Sequence, residues 1–346
     1  MSAVTRRWAA SAHRGALTLG AHSDGGAILA RTAGGACIFF DSENGRLCAV
    51  HRELGEPMLP SACRQFPRVT VTDPRGRWIT LSHFCPTAAA LLFSPAPVTI
   101  VAAPASIALD GGAEGLDATA TLPPLLRPGM LMDWDGYRAW NRGAIDVLCT
   151  GGASADDAVA SLESKTLAVQ DWSPGDETLA ACVTRVFGGT FDLNRPTEPA
   201  CEGADYALAL AAVPEGLTIP FPSPVESIDV GRIELIWSEF EAVVRRYLAA
   251  RLFACWWPYL GLDLRGVLRA IQVHVSVLRT RIGARLALGD RGRAALLEAI
   301  READLLMVHL ADGPTLATGI ARNQGSGGTG RSHGSGRSQG AGSRVP

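Results

Sequence analysis

The chain runs to 346 residues, 47% of them hydrophobic and 19% charged. That apolar content excludes wholesale disorder and suffices for two ordinary domains. A formal charge of -2 gives no global attraction to nucleic acid or anionic lipid, so neither is expected as a partner.

Residues 1–36 are rich in Gly, Ala and Thr and form a poorly defined N-terminal segment. Arg6 and Arg7 resemble the start of a leader, but Ser11, His13 and Arg14 interrupt any apolar run, so no signal peptide is expected. A cysteine-rich module is predicted over residues 37–101. Within it, Arg68–Thr72 and Arg77–Leu81 alternate around Asp73-Pro74-Arg75-Gly76, the pattern of a β-hairpin. Pro86 then opens a short helix over Thr87–Phe93, and Val98–Val101 reads as a further strand. Residues 102–130 read as loop and linker.

A helical domain is expected over residues 131–312. Tyr137–Leu148 and Ala155–Val169 carry helical spacing, whereas 170–230 is ambiguous. Ile236, Phe240, Val243, Val244, Tyr247 and Leu248 fall on one helical face, with Glu241 placed four residues before Arg245. Asp263 is placed to cap a helix whose Leu264, Val267, Leu268, Ile271, Val275, Leu278 and Ile282 recur at threes and fours. Asp290 is placed to cap another, running through Leu297, Ile300, Ala303, Met307 and Leu310. No apolar run reaches the ~18 residues of a membrane span; the nearest, Tyr247–Leu262, is broken by Arg251 and Pro258. Residues 322–346 carry four arginines and no acid among Gly and Ser, the composition of a disordered tail. The fold class expected is mainly α, with a small α+β cysteine-rich N-terminal module containing the hairpin and a helical C-terminal domain.

With no leader or span, the chain is expected in a reducing cytoplasm, where eight cysteines are not read as disulfides. Four of them, Cys37, Cys48, Cys63 and Cys85, lie within 49 residues; Cys149, Cys182, Cys201 and Cys255 are scattered. Four thiolates satisfy either a tetrahedral zinc ion or an iron–sulfur cluster. The intervening lengths of ten, fourteen and twenty-one residues contain no CxxC pair, so spacing does not choose the metal. Arg64 and Arg68 would offset a negative thiolate centre, and the hairpin would return Cys85 towards Cys63. His51 and His83 offer substitute imidazole ligands. The competing reading is that the four thiols are small buried hydrophobes.

These residues carry a resemblance. Cys37-Ile38-Phe39-Phe40, Leu47-Cys48-Ala49-Val50, Glu53-Leu54-Gly55 and Cys63-Arg64-Gln65-Phe66-Pro67-Arg68 follow one another in order. A hairpin and Ser82-His83-Phe84-Cys85-Pro86 come next. The block resembles the cysteine cluster of flagellin lysine N-methylases and of the broader CxxCxxCC zinc- or iron-chelating family. Arg246-Tyr247-Leu248, Leu252-Phe253 and Trp257-Pro258 are similar, more loosely, to the Tyr-Leu helix and Phe-Pro bend of the methylases. The chain departs from the pattern in one respect. The CxxCxxCC stretch expected before Cys37 is missing, because residues 1–36 contain no cysteine. Either the sequence starts too far downstream or half of the cluster has been lost.

The resemblance implies methyl transfer from S-adenosylmethionine to lysines of a protein such as flagellin, with a supporting metal at Cys37, Cys48, Cys63 and Cys85. Such chemistry needs a neutral amine aligned with the sulfonium, in a slot with aromatic or carboxylate walls. Candidate walls are Trp134, Tyr137 and Trp140 around Asp133 and Asp135, and the group Trp256, Trp257 and Tyr259; both also suit plain core packing. Catalytic and donor-binding residues are not readable from the sequence. Asp110-Gly111-Gly112 lacks the strand and helix context of a nucleotide loop, and no Gly-x-Ser-x-Gly, His-Glu-x-x-His or Walker lysine occurs. His274 and His309 read as core or edge residues. Two alternatives stay open: a non-catalytic zinc- or iron–sulfur-binding interaction protein, and a degenerate metal-free relative.

Overall fold

The computed structural model describes residues 18–21, 27–29, 37–41, 47–96, 98–103, 115–150, 152–175, 177–189, 202–224 and 230–326. The Asp110-Gly111-Gly112 loop, Cys201 and the tail beyond Ser326 lie outside them. The protein is mainly α, with sheets of two or three strands and a helical C-terminal part. It divides into two units, one of residues 1–66 with 112–114 and one of 67–111 with 115–346. The boundary falls inside the segment read as one cysteine-rich module, so the hairpin belongs to the helical unit.

In the first unit, β1 (Thr18–Ala21) pairs with β2 (Ala27–Leu29), and β3 (Phe40–Asp41) with β4 (Leu47–Cys48). Two short helices follow, α1 (Ala49–Leu54) and α2 (Ser61–Gln65). Phe39 and Val50 form a small core flanked by Cys37, Ile38, Cys48, Leu54 and Leu59.

In the second unit the predicted hairpin is present as β5 (Arg68–Asp73) and β6 (Gly76–Leu81), in register from Arg68↔Leu81 to Asp73↔Gly76. Asp73 Oδ1 accepts the Arg75 N–H at 2.8 Å, the side-chain bond that makes Asp-Pro a turn opener. A third strand, β7 (Leu116–Asp117), lies parallel to β5. Gly115 leads into it because a Cβ there would stand 2.4 Å from the Thr70 carbonyl oxygen. The helix α3 spans Pro86–Leu91 with Pro at its start. Val98–Val101 is not a strand: Val98, Ile100 and Val101 are exposed and no ladder pairs their backbone. The short antiparallel pair β8 (Leu125–Arg127) and β9 (Met130–Leu131) occupies part of the expected linker.

The helical part comprises α4 (Trp134–Cys149), α5 (Ala155–Gln170), α6 (Leu179–Gly188), α7 (Glu202–Ala211), α8 (Val230–Glu239), α9 (Glu241–Leu252), α10 (Leu264–Ala287), α11 (Gly292–Asp304) and α12 (Gly313–Ser326). Asp133, Ser154 and Thr178 cap α4, α5 and α6, and Asp263 caps α10 through Oδ1 and the Gly266 N–H at 2.8 Å. Asp290 does not cap α11. Its carboxylate instead accepts from Arg285 Nε at 2.6 Å, and Arg291 takes the N-cap position without a side-chain bond. The single face read from Ile236 to Leu248 is divided between α8 and α9, because Phe240 leaves helical geometry and sets its ring edge-on to Phe93 at 5.7 Å. Helix α12 carries helical structure four residues past Arg322.

At the centre lies α10, packed by α5, α7, α8, α9, α11 and α12. Its predicted apolar face is buried, and so are His274, Ser276, Arg279 and Arg281 on the other faces. Each buried arginine is matched from a neighbouring helix: Arg281 Nε donates to Glu302 at 2.8 Å, and Arg279 Nη2 to Asp156 at 2.8 Å. The lone lysine, Lys165, is used inside as well. Its Nζ donates to the carbonyls of Val186, Phe187 and Gly189 at 3.1, 3.1 and 2.9 Å, closing the C-terminus of α6. Lys165→Met is expected to cost about 1.5–3 kcal/mol in chemical denaturation, the range for hydrogen bonds from a charged donor. No change in the midpoint would mean the carbonyls find other donors.

Candidate functional site

The four cysteines of the block divide between the units, with Cys37, Cys48 and Cys63 in the first and Cys85 in the second. In the first, Cys37 and Cys48 flank the Phe39–Val50 core, Cys48 pairs with Phe40 across β3–β4, and Cys63 is exposed on α2. In the second, half-buried Cys85 is the N-cap residue of α3. None of the described cysteines forms a disulfide. Their soft sulfur donors suit zinc or an iron–sulfur cluster, yet among the described residues no group of three or more His, Cys, Asp or Glu stands together to hold a metal. Of the substitute ligands, His51 is exposed on α1, whereas His83 is 4% exposed.

The segment that carries Cys85 is seated on a buried ion pair that sequence reading missed. Asp304, the last residue of α11, is fully buried, and Arg251 of α9 sets Nη1 3.0 Å from its Oδ1. Asp304 Oδ2 accepts from Ser82 Oγ at 3.1 Å and from the backbone N–H groups of His83 and Phe84 at 2.6 and 3.3 Å. Arg251 Nη2 in turn donates to the Leu81 carbonyl. Four consecutive residues before Cys85 are thus tied to the helical core from both sides of one ion pair. Ser82 Oγ also lies 2.7 Å from His309 Nε2. His309 belongs to the π-helical turn Leu305–Leu310 that follows Asp304, a geometry frequent at functional sites.

The site is electrically closed. Burial holds the His83 ring down to about 3, assisted by the Arg251 cation, and holds His274 down to about 4. Both rings are neutral beside the Arg251–Asp304 pair. Desolvation pushes the Asp304 carboxyl up, but the Arg251 cation and the neighbouring His83, His309 and His274 rings together outweigh it and keep Asp304 below the usual carboxylate range. His83 meets Tyr247 edge-on at 5.6 Å, and the Arg251 guanidinium stands 5.9 Å from the same ring. The Ser82–Cys85 segment and the Tyr247–Leu252 helix, the two stretches behind the sequence resemblance, therefore meet around Asp304.

The aromatic walls are deployed differently from expectation. Tyr137 and Tyr259, from the two separate groups, meet edge-on at 6.5 Å, and with Trp78 and Trp134 they surround Arg75 of the hairpin turn. The guanidinium lies 4.4 Å from the Tyr137 ring centre and pairs with Asp73 at 2.7 Å. Asp73 Oδ2 also accepts from the Tyr259 hydroxyl at 2.6 Å. The chain's own cation fills this box, fixing the hairpin tip to α4 and to the bend after α9. Trp140 stacks on Tyr137 with ring centres 6.1 Å apart and donates from its indole to Thr166 at 3.0 Å. The turn residues Asp73 and Arg75 were visible in the sequence only as a hairpin signal, and nothing in their spacing pointed to a partner some 180 residues away.

Among the described residues no helix is long and apolar enough to cross a membrane. No protein-family model matches the chain, and neither a curated protein nor a solved structure is similar to it.

Proposed function

We propose that this protein is a metal-binding cysteine-cluster protein of the reducing cytoplasm, with Cys37, Cys48, Cys63 and Cys85 as thiolate ligands of one zinc ion or iron–sulfur cluster. We further propose that it transfers methyl groups from S-adenosylmethionine to lysines of a protein such as flagellin. The observation that supports the reading is the seating of the Ser82–Cys85 segment. Its backbone is fixed by Asp304 and Arg251, and a metal ligand needs such a rigid support. The metal would neutralise and hold the thiolates, a structural part rather than a reacting one. The filled box around Arg75 favours a second reading, a metal-binding interaction protein without catalysis, because the aromatic walls suited to a cationic donor already hold a cation.

The test is elemental and sulfide analysis of protein purified without oxygen, followed by incubation with labelled S-adenosylmethionine and flagellin. One zinc per chain, or iron with acid-labile sulfide, is expected, falling sharply in each single Cys→Ser variant at 37, 48, 63 and 85, with label appearing on flagellin lysines. A metal-loaded protein that leaves every flagellin lysine unlabelled supports the second reading. Folded protein without metal overturns both.

A further inference from the structure

Beside the ion pair lies a cavity of about 80 Å³, walled by Phe253, Trp256, Trp257, Leu260 and Met307, with Arg251 in its lining. Two buried donors on that lining lack an acceptor. The terminal nitrogens of Arg251 are engaged, Nη1 by Asp304 and Nη2 by the Leu81 carbonyl, but Nε has no hydrogen-bond partner among the described residues. The indole Nε1 of Trp256 is orphaned in the same way. An N–H shut away from water with nothing to donate to carries its full desolvation cost, and native proteins keep such groups few. Here two of them belong to the lining of one small cavity, and both can only donate. The wall is also strained. Ala254 is the one non-glycine residue among those described with a left-handed backbone, at φ 54°, and such strain gathers at ligand sites.

We propose that this cavity binds a small, uncharged carbonyl compound, its oxygen accepting from Arg251 Nε and Trp256 Nε1 and its hydrocarbon part lying against the aromatic wall. A carbonyl oxygen has two lone pairs to meet two donors. The lack of charge follows from Asp304, which already neutralises Arg251, so an anion would be buried beside a second negative group. A cation would find no acid in the lining. Size follows from the volume, well under the ~300 Å³ at which pockets for drug-sized ligands begin, so a nucleoside cofactor is excluded. The inference is therefore independent of the methyl-transfer reading.

Cyclopentanone and cyclopentane make a matched pair of probes: similar five-membered rings, of which only the ketone carries an acceptor. Saturation-transfer NMR on the full chain is expected to show saturable binding of both. Trp256→Phe removes the indole N–H and keeps an aromatic ring. It should lower the affinity for cyclopentanone, relative to cyclopentane, by roughly three- to tenfold, the range for one hydrogen bond. Ala311→Leu, which fills the cavity, should abolish binding of both; Val69→Phe, from the hairpin side, serves if Ala311→Leu does not fold. An unchanged ratio of the two affinities in Trp256→Phe would overturn the hydrogen-bond assignment. Cyclobutanecarboxylate binding the wild type more tightly than the ketone would refute the uncharged ligand. Absence of saturable binding, or binding unchanged in the folded cavity-filling variant, would sink the site itself.

Discussion

Replacing Asp304 by alanine is expected to destabilise the protein by about 3–5 kcal/mol, the range for removing one partner of a buried ion pair. The carboxylate is fully buried and Arg251 nearly so, which leaves the orphaned guanidinium no water to turn to. Three further donors, Ser82 Oγ and the N–H groups of His83 and Phe84, lose their acceptor in the same change. The double substitution Arg251→Met with Asp304→Leu should recover a large part of the loss, because most of the penalty is the unpaired charge rather than the net worth of the pair. Recovery should stay incomplete, since the two backbone N–H groups remain unpaired at about 1–3 kcal/mol each. Urea denaturation of the two variants measures this. Alkylation of Cys85, followed by mass spectrometry, adds a local readout: the thiol should react faster once its segment is released. A single variant within about 1 kcal/mol of wild type would show that the segment is held by other contacts.

This cluster also marks the limit of what the amino-acid sequence discloses. The hairpin was legible because its turn chemistry and alternation are local, and α10 was legible because its apolar residues recur at helical spacing. Local patterns did not reveal that α10 is buried on its polar faces too. Arg279 and Arg281 look like solvent-facing residues until Asp156 and Glu302 arrive from other helices. The same blindness hid Asp304, an acid in an otherwise ordinary helix, whose partners Ser82 and His83 lie more than 200 residues away. Arg75 is the parallel case at the hairpin tip: its turn was readable, its aromatic box was not. Asp290 failed in the opposite way. The local capping signal was sound, but Arg285 competes for the carboxylate and wins through a charge-assisted bond.

Acidification should remove a large share of the protein's stability before its carboxylates titrate. In the unfolded chain His83 and His274 take up protons near the ordinary value of about 6.5. In the fold the same rings refuse protons until about 3 and about 4, because burial penalises the imidazolium. Below pH 6.5 the unfolded state therefore binds more protons, so stability present above that pH is lost as the pH falls. Each histidine contributes about 1.4 kcal/mol per pH unit, and the two together about 2.7, until the folded His274 begins to titrate. Asp304 works in the same direction, but only below the ordinary carboxylate value, since its folded form is shifted downward. Against a total stability of about 5–15 kcal/mol, two pH units of that slope consume a large share. Urea midpoints measured at pH 7.5, 6.5, 5.5 and 4.5 should be nearly level across the first interval and fall steeply across the next two. His83→Gln and His274→Gln should each lower the slope by about 1.4 kcal/mol per pH unit, since each removes one proton-binding difference; His309, which burial also holds below its ordinary value, adds to what remains. A profile that stays flat from pH 6.5 to 4.5 would mean both rings accept protons in the folded state. The closed electrostatics of the Asp304 site would then be wrong.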